Sequence, residues 1–116
     1  MTFALTETQT MIRDTARSFA EEQLAPGAIE RDEHSIFPAE QVRALGELGF
    51  MGMMVPEEWG GAGLDTVSYA LAEAEVSRVD ASCGVIMSVN NSLVCYGLNE
   101  FGTPEQKERF LKDLAS

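Results

Sequence analysis

A chain of 116 residues suits one domain and is long enough to bury a core. Its 45% hydrophobic content places it with ordinary globular material rather than with disordered acidic tails. Nineteen acidic against eight basic side chains give a net charge of −11, which argues against nucleic acid and anionic membrane surfaces, since both are gripped by clustered Lys and Arg. The charge suits a soluble protein and would steer it towards basic partners.

No apolar run reaches the roughly 18 residues of a membrane span, because Gly, Ser, Asn and charged side chains interrupt each one. No basic region followed by an apolar stretch opens the chain, so no signal peptide is expected. Cys83 and Cys95 are the only cysteines. On one straight helix they would lie roughly 18 Å apart, too far for a disulfide, which needs Cα atoms within about 7 Å. Both read as reduced core thiols of a cytosol-like compartment. A single His34 with two distant cysteines makes no zinc site.

Helical punctuation then recurs along the chain. Thr6-Glu7-Thr8-Gln9 fits a capping box, and the segment after it puts Ile12, Ala16, Phe19 and Ala20 on one face. Pro26 must end or kink this helix, and a short second one follows through Ala28, Ile29 and Arg31. Pro38 suits the first turn of a third helix, with Val42, Leu45 and Leu48 as its stripe and Gly49 as its stop. Met53-Met54-Val55-Pro56 is too short to assign. Residues 56–64, dense in Gly, read as an ordered loop. Asp65 caps a fourth helix whose predicted apolar face is Val67, Ala70, Leu71 and Ala74, with Glu73 and Glu75 outside. From about 81 to 101 the chain is apolar on nearly all sides, so this helix is predicted to be the central, most buried one. Thr103-Pro104-Glu105-Gln106 opens a last helix through Lys107, Phe110, Leu111 and Leu114. Five or six helices and no convincing strand predict an all-α, bundle-like domain.

Few residues invite chemistry. The glycines at 60, 61 and 63 suggest a phosphate loop, but the Gly-Lys-Ser/Thr ending and the dinucleotide spacing are both missing, so a structural turn is the better reading. The carboxylate pairs Glu21/Glu22, Glu57/Glu58 and Glu73/Glu75 fall on predicted polar faces or loops, where solvated charge explains them. One histidine supports no Ser-His-Asp or Cys-His arrangement. The odd feature is Ser88, Asn90, Asn91 and Ser92 inside the most apolar helix, where an unpaired polar group costs about 1–3 kcal/mol. Helix crossings or buried water would satisfy them. Equally, with Val89 and Leu93, they could line a cavity for a partly polar ligand.

As a set, these landmarks resemble the acyl-CoA dehydrogenase family. The matching pieces are Leu5-Thr6-Glu7, Thr15-Ala16-Arg17-Ser18-Phe19-Ala20, Leu24-Ala25-Pro26, Glu30-Arg31-Asp32 and Leu48-Gly49-Phe50. The 56–64 loop, Ser92-Leu93 and Phe101-Gly102-Thr103-Pro104-Glu105-Gln106-Lys107 complete the set. The resemblance implies that residues 1–116 are the N-terminal helical domain of a longer flavoprotein, with a middle β-domain and a C-terminal helical domain beyond them. Such enzymes oxidise the Cα–Cβ bond of acyl-CoA thioesters to 2-enoyl-CoA. A glutamate takes the α-proton and FAD takes the hydride. That glutamate and most flavin contacts lie outside this domain, so no catalytic residue and no metal ligand is expected here.

From the same resemblance, the long helix lines the distal end of the acyl pocket through Val89, Asn90 and Leu93. An apolar patch of Phe19, Phe50, Ala62 and Leu64 would dock the electron-transferring flavoprotein. Ala62 is smaller than the leucine some relatives carry, which alters the shape of that patch. The resemblance further implies a homo-oligomeric enzyme, dimer or tetramer, of the bacterial cytoplasm or a mitochondrial-matrix-like compartment. Two alternatives are an acyl-CoA oxidase or other flavoenzyme on the same fold, and a stand-alone helical interaction module.

Overall fold

The structure, a computed structural model, describes residues 2–116, and its regular structure is six helices and a short 3₁₀ turn at Glu57–Trp59. α1 (Glu7–Phe19) runs on as a π-helical turn over Ala20–Leu24. α2 is Ala28–Glu33, α3 is Ala39–Glu47 and α4 is Thr66–Val79. α5 is one continuous helix, Ala81–Phe101, whose middle, Val89–Cys95, is π-helical. α6 runs through Pro104–Gln106, a π turn at Lys107–Leu111 and Lys112–Ala115. No strand occurs among the described residues. The all-α expectation holds.

Local chemistry sets the helix ends. Thr6 Oγ1 accepts from Gln9 N–H at 3.1 Å while the Gln9 side chain accepts from Thr6 N–H at 3.0 Å. Thr103 and Gln106 repeat this box at α6, with Pro104 in the first turn. Asp65 Oδ1 accepts from Ser68 N–H at 2.7 Å and caps α4. Pro38 stands one position earlier than predicted, as the residue preceding α3.

Packing is layered. α1 lies along α4, and α4 along α5. Ile12, Ala16, Phe19 and Ala20 of α1 are all buried, as the sequence predicts. Arg17 adds a two-pronged contact to Glu75 at 2.9 and 3.3 Å. The predicted α4 face is wrong. Ser68, Ala72 and Val76 are buried, while Val67, Ala70 and Ala74 face outward. Small residues allow α4 to lie close between two neighbours, and Gly84 marks the closest approach. A Cβ there would collide with Ser77 Oγ and come within 3.0 Å of Glu73 Oε1. Glu73 and Glu75, expected outside, are half-buried at these two interfaces.

The second correction concerns α5. By length and composition it could cross a bilayer, yet Cys83, Gly84, Met87, Asn91 and Cys95 pack inward. Its other face, with Val85, Val89, Leu93 and Tyr96, is exposed, Leu93 by 69%. It is therefore not buried all round. The molecule is a slab of 41 × 40 × 18 Å, about two helix diameters thick, so α5 has neighbours on one side only.

A buried ion pair fixes the start of α5. Arg31 Nη2 donates to Asp80 Oδ2 at 2.8 Å and to Leu24 O at 2.8 Å, and Nη1 donates to Pro26 O at 3.2 Å. Asp80 Oδ1 in turn accepts from Cys83 N–H at 3.1 Å, capping α5. Burial alone would raise the Asp80 carboxyl. The Arg31 guanidinium and the Cys83 N–H outweigh it and hold Asp80 below its ordinary value.

Two outcomes are expected. Arg31→Ala strands a buried carboxylate and should cost about 3–5 kcal/mol in chemical denaturation. An unchanged midpoint would refute the role given to this pair. Because Asp80 is depressed in the folded state, its contribution is present above the unfolded carboxylate value of about 3.9 and is lost as pH falls through the folded one. Asp80→Asn should accordingly flatten the acid limb of stability against pH. Separately, Gly84→Ala should destabilise by about 1–3 kcal/mol through overpacking, against the sign of its helix propensity.

Candidate functional site

The polar cluster of α5 is where sequence and structure meet most closely. A π turn bonds residue i+5 back to i and holds more residues than an α turn, and Tyr96 N–H donates to Asn91 O in this way. At the entry to that turn two side chains bond back one α turn. Asn91 Nδ2 donates to Met87 O at 2.9 Å and Ser92 Oγ donates to Ser88 O at 2.7 Å. Such back-bonding competes with the backbone ladder and loosens it. Tyr69 Oη and Ser88 Oγ lie 3.1 Å apart, joining α4 to the same place.

The asparagines also reach outward. Asn91 Nδ2 donates to Phe50 O at 2.8 Å, and its Oδ1 accepts from Met53 N–H at 2.8 Å. Asn90 Nδ2 donates to Met51 O and to Leu114 O, each at 2.7 Å. Residues 50–53 and the end of α6 are thus hung on two adjacent amides. Asn91 is 3% exposed, so its polarity is accounted for by protein groups alone.

Beside this clamp lies an apolar depression lined by Met51, Val85, Ile86, Val89, Asn90 and Val94. The structure therefore brings Val89 and Asn90 into one wall. Leu93 is not part of that lining and stands on the exposed stripe next to it. Val94, which the sequence reading did not single out, takes the place beside Val89. The available signal was spacing, since Ile86, Asn90 and Val94 follow one another at four-residue steps on one helix face. Asn90 has its amide nitrogen committed, and its Oδ1 meets no donor among the described residues.

Phe19 and Phe50 belong to the main core, at 8% and 1% exposure, and Leu64 packs against that core from a half-buried position. Ala62 is half-buried as well, its Cβ 3.5 Å from where a Cβ on Gly49 would stand. Phe19, Phe50 and Leu64 thus share one cluster to which Ala62 does not belong, and only Ala62 and Leu64 offer appreciable surface.

The Gly-rich loop cannot cradle a phosphate. Gly60, Gly61, Ala62, Gly63 and Leu64 donate their N–H groups to Glu57 O, Pro56 O, Gly52 O, Val55 O and Met53 O respectively. No backbone donor is left in the run, so the loop is the structural turn that its sequence predicts. Gly60 and Gly63 adopt positive φ, 87° and 63°, which is what the tight path needs. Burial pushes the thiols up, Cys83 to about 12 and Cys95 to about 11. Both are inert, unpaired core groups. Glu73 is also raised by burial, partly countered by Ser77 Oγ donating to it at 2.8 Å. It sits at the α4–α5 crossing, away from the depression's lining.

Comparison with known proteins agrees with this architecture. Residues 6–116 match the family described as acyl-CoA dehydrogenase, N-terminal domain. The bovine (Bos taurus) short-chain specific mitochondrial acyl-CoA dehydrogenase is 52% identical over 97% of this chain and 27% of its own length. The short-chain specific acyl-CoA dehydrogenase of Clostridium acetobutylicum is 44% identical over 99% of this chain and 30% of its own. Among solved structures, butyryl-CoA dehydrogenase from Megasphaera elsdenii superposes with a TM-score of 0.91 at 37% identity, covering 99% of this chain and 31% of that one. A chain from a structure of electron transferring flavoprotein of Acidaminococcus fermentans reaches 0.95 at 47% identity, covering 99% and 30%. The chain thus spans less than a third of the length of these relatives. With its cap boxes, six helices and internally bonded glycine loop all accounted for, the chain belongs to the acyl-CoA dehydrogenase family, as an N-terminal domain.

Proposed function

We propose that this domain serves a flavoprotein that oxidises the Cα–Cβ bond of a short acyl-CoA thioester to the 2-enoyl-CoA and passes the electrons to an electron-transferring flavoprotein. The observation carrying this reading is the apolar depression on α5, walled by Val89 and Asn90, with Leu93 on the exposed stripe beside it. FAD supplies the hydride acceptor when bound in the complete enzyme. The residues described here supply the wall against which the acyl tail ends.

Short-chain selectivity has a physical basis in this wall. Asn90 cannot swing aside, because Met51 O and Leu114 O hold its amide nitrogen. A longer tail would press methylenes against this amide and desolvate its free oxygen, which is unfavourable by about 1–3 kcal/mol. The names of the bovine and clostridial relatives, both short-chain specific, point the same way. For electron transfer, Ala62 and Leu64 form the surface of an apolar docking patch with Phe19 and Phe50 as its floor. The complete enzyme is expected to be a soluble homo-oligomer of a mitochondrial matrix or a bacterial cytoplasm, a point that light scattering would check.

Val89→Phe in the full-length enzyme should penalise longer acyl-CoAs more than shorter ones, by about tenfold or more in relative kcat/KM. A uniform loss across chain lengths, with a fall in melting temperature, would return Val89 to plain core packing. The chain by itself should purify without flavin absorbance and without acyl-CoA oxidation. Its exposed stripe of Val85, Val89, Leu93 and Tyr96 should make it self-associate with rising concentration. A yellow preparation with stoichiometric FAD would contradict this division of labour.

A further inference from the structure

We infer that the α4–α5 crossing is a pH-sensitive latch whose working part is the Glu73 carboxyl, closed when that group carries its proton and loosened when it does not. The crossing has two polar rungs. Tyr69 Oη and Ser88 Oγ form one, 3.1 Å apart. One turn further along α4, Glu73 and Ser77 form the other, with Ser77 Oγ donating to Glu73 Oε1 at 2.8 Å. Facing them on α5 is Gly84, one turn before Ser88. A Cβ on Gly84 would collide with Ser77 Oγ and stand 3.0 Å from Glu73 Oε1, so the α5 backbone lies against the carboxyl itself. The other oxygen, Glu73 Oε2, is buried and has no hydrogen-bond partner in the protein.

A glutamate placed there has no cation to answer its charge. It joins no ion pair among the described residues. Where α1 and its π turn meet α4, Arg17, Glu21, Glu75 and Arg78 pair with one another. At the start of α5, Arg31 holds Asp80. Cys83 is the only titratable side chain from Ala81 to Val94, and burial keeps its thiol neutral by pushing it to about 12. Burial likewise raises Glu73 above the ordinary carboxylate value, and the Ser77 hydrogen bond offsets only part of this. The stability that the neutral carboxyl contributes is therefore full below the unfolded value of about 4.3 and is lost as pH rises through the folded one. Above that point the charged group favours a parted crossing, in which both oxygens reach water.

The test is amide hydrogen exchange of the full-length protein, read on peptides spanning residues 66–94 and corrected for the intrinsic rate at each pH. Glu73→Gln keeps an acceptor for Ser77 and cannot be charged. Glu73→Met is close in volume and has no polar group to desolvate, so it decides alone should the Gln variant not accumulate as folded protein. At about pH 8 the wild type is expected to exchange about fivefold or more faster across the crossing than either variant, and the difference should narrow towards about pH 4. Wild-type and variant profiles that stay parallel over this range overturn the inference. So does a wild type that exchanges more slowly than both variants at the upper end.

Discussion

One buried amide organises the region around the apolar depression of α5. Asn91 uses both donor hydrogens and its acceptor within the protein, tying Met87 O of its own helix to Phe50 O and Met53 N–H of the segment opposite. Through those bonds Phe50 and Met53 reach the core, and the glycine loop that follows is closed in turn by Leu64 N–H donating to Met53 O at 2.8 Å. An apolar replacement would leave a buried N–H and a buried C=O without partners, at about 1–3 kcal/mol each. The Arg31–Asp80 pair does the corresponding work one end away, at the N-cap of α5. Anchored at its start and its middle, this helix can hold an apolar face open to one side without support there.

That open face follows from thickness. A slab 18 Å deep has room for two helices across and no third layer. α5 is apolar enough for burial on both sides, and the domain covers only one. The bovine and clostridial relatives are more than three times as long as the part this chain matches. The stripe of Val85, Val89, Leu93 and Tyr96 is the contiguous apolar surface that this two-layer packing leaves exposed.

What the sequence made legible divides along physical lines. The caps at Thr6, Asp65 and Thr103 were readable because the bonds span three residues and need nothing else. The α1 face was readable because large apolar and charged residues segregate strongly there. α4 was misread because Ser68 and Ala72 bury themselves by being small, and a periodicity search for large apolar residues passes over them. The uniform apolarity of α5 correctly marked a packing helix but carried no information on which face would meet protein. The lining of the depression was half legible. Val89 and Asn90 lie together, whereas the third position is Val94, four residues after Asn90, rather than Leu93, four after Val89; both spacings are helical, and periodicity alone does not choose between them.

The same amide has a consequence for assigning roles. Val89 and Asn90 face the depression, while the carbonyl of Phe50 and the N–H of Met53 belong to the segment beneath the proposed docking surface. Asn91 lies between them and bonds to the second set from within the helix that carries the first. Residues 50–53 also accept, at Met51 O, the amide of Asn90 itself. A substitution at Phe50 that shifts this segment therefore moves the hydrogen-bond acceptors that hold the wall of the depression. Loss of electron transfer in such a variant does not by itself identify a docking residue. The assignment needs acyl-CoA selectivity to stay constant while transfer to the flavoprotein falls. Ala62 and Leu64, which have surface and no hydrogen bond to the clamp beyond the loop backbone, are the positions where that separation is physically attainable.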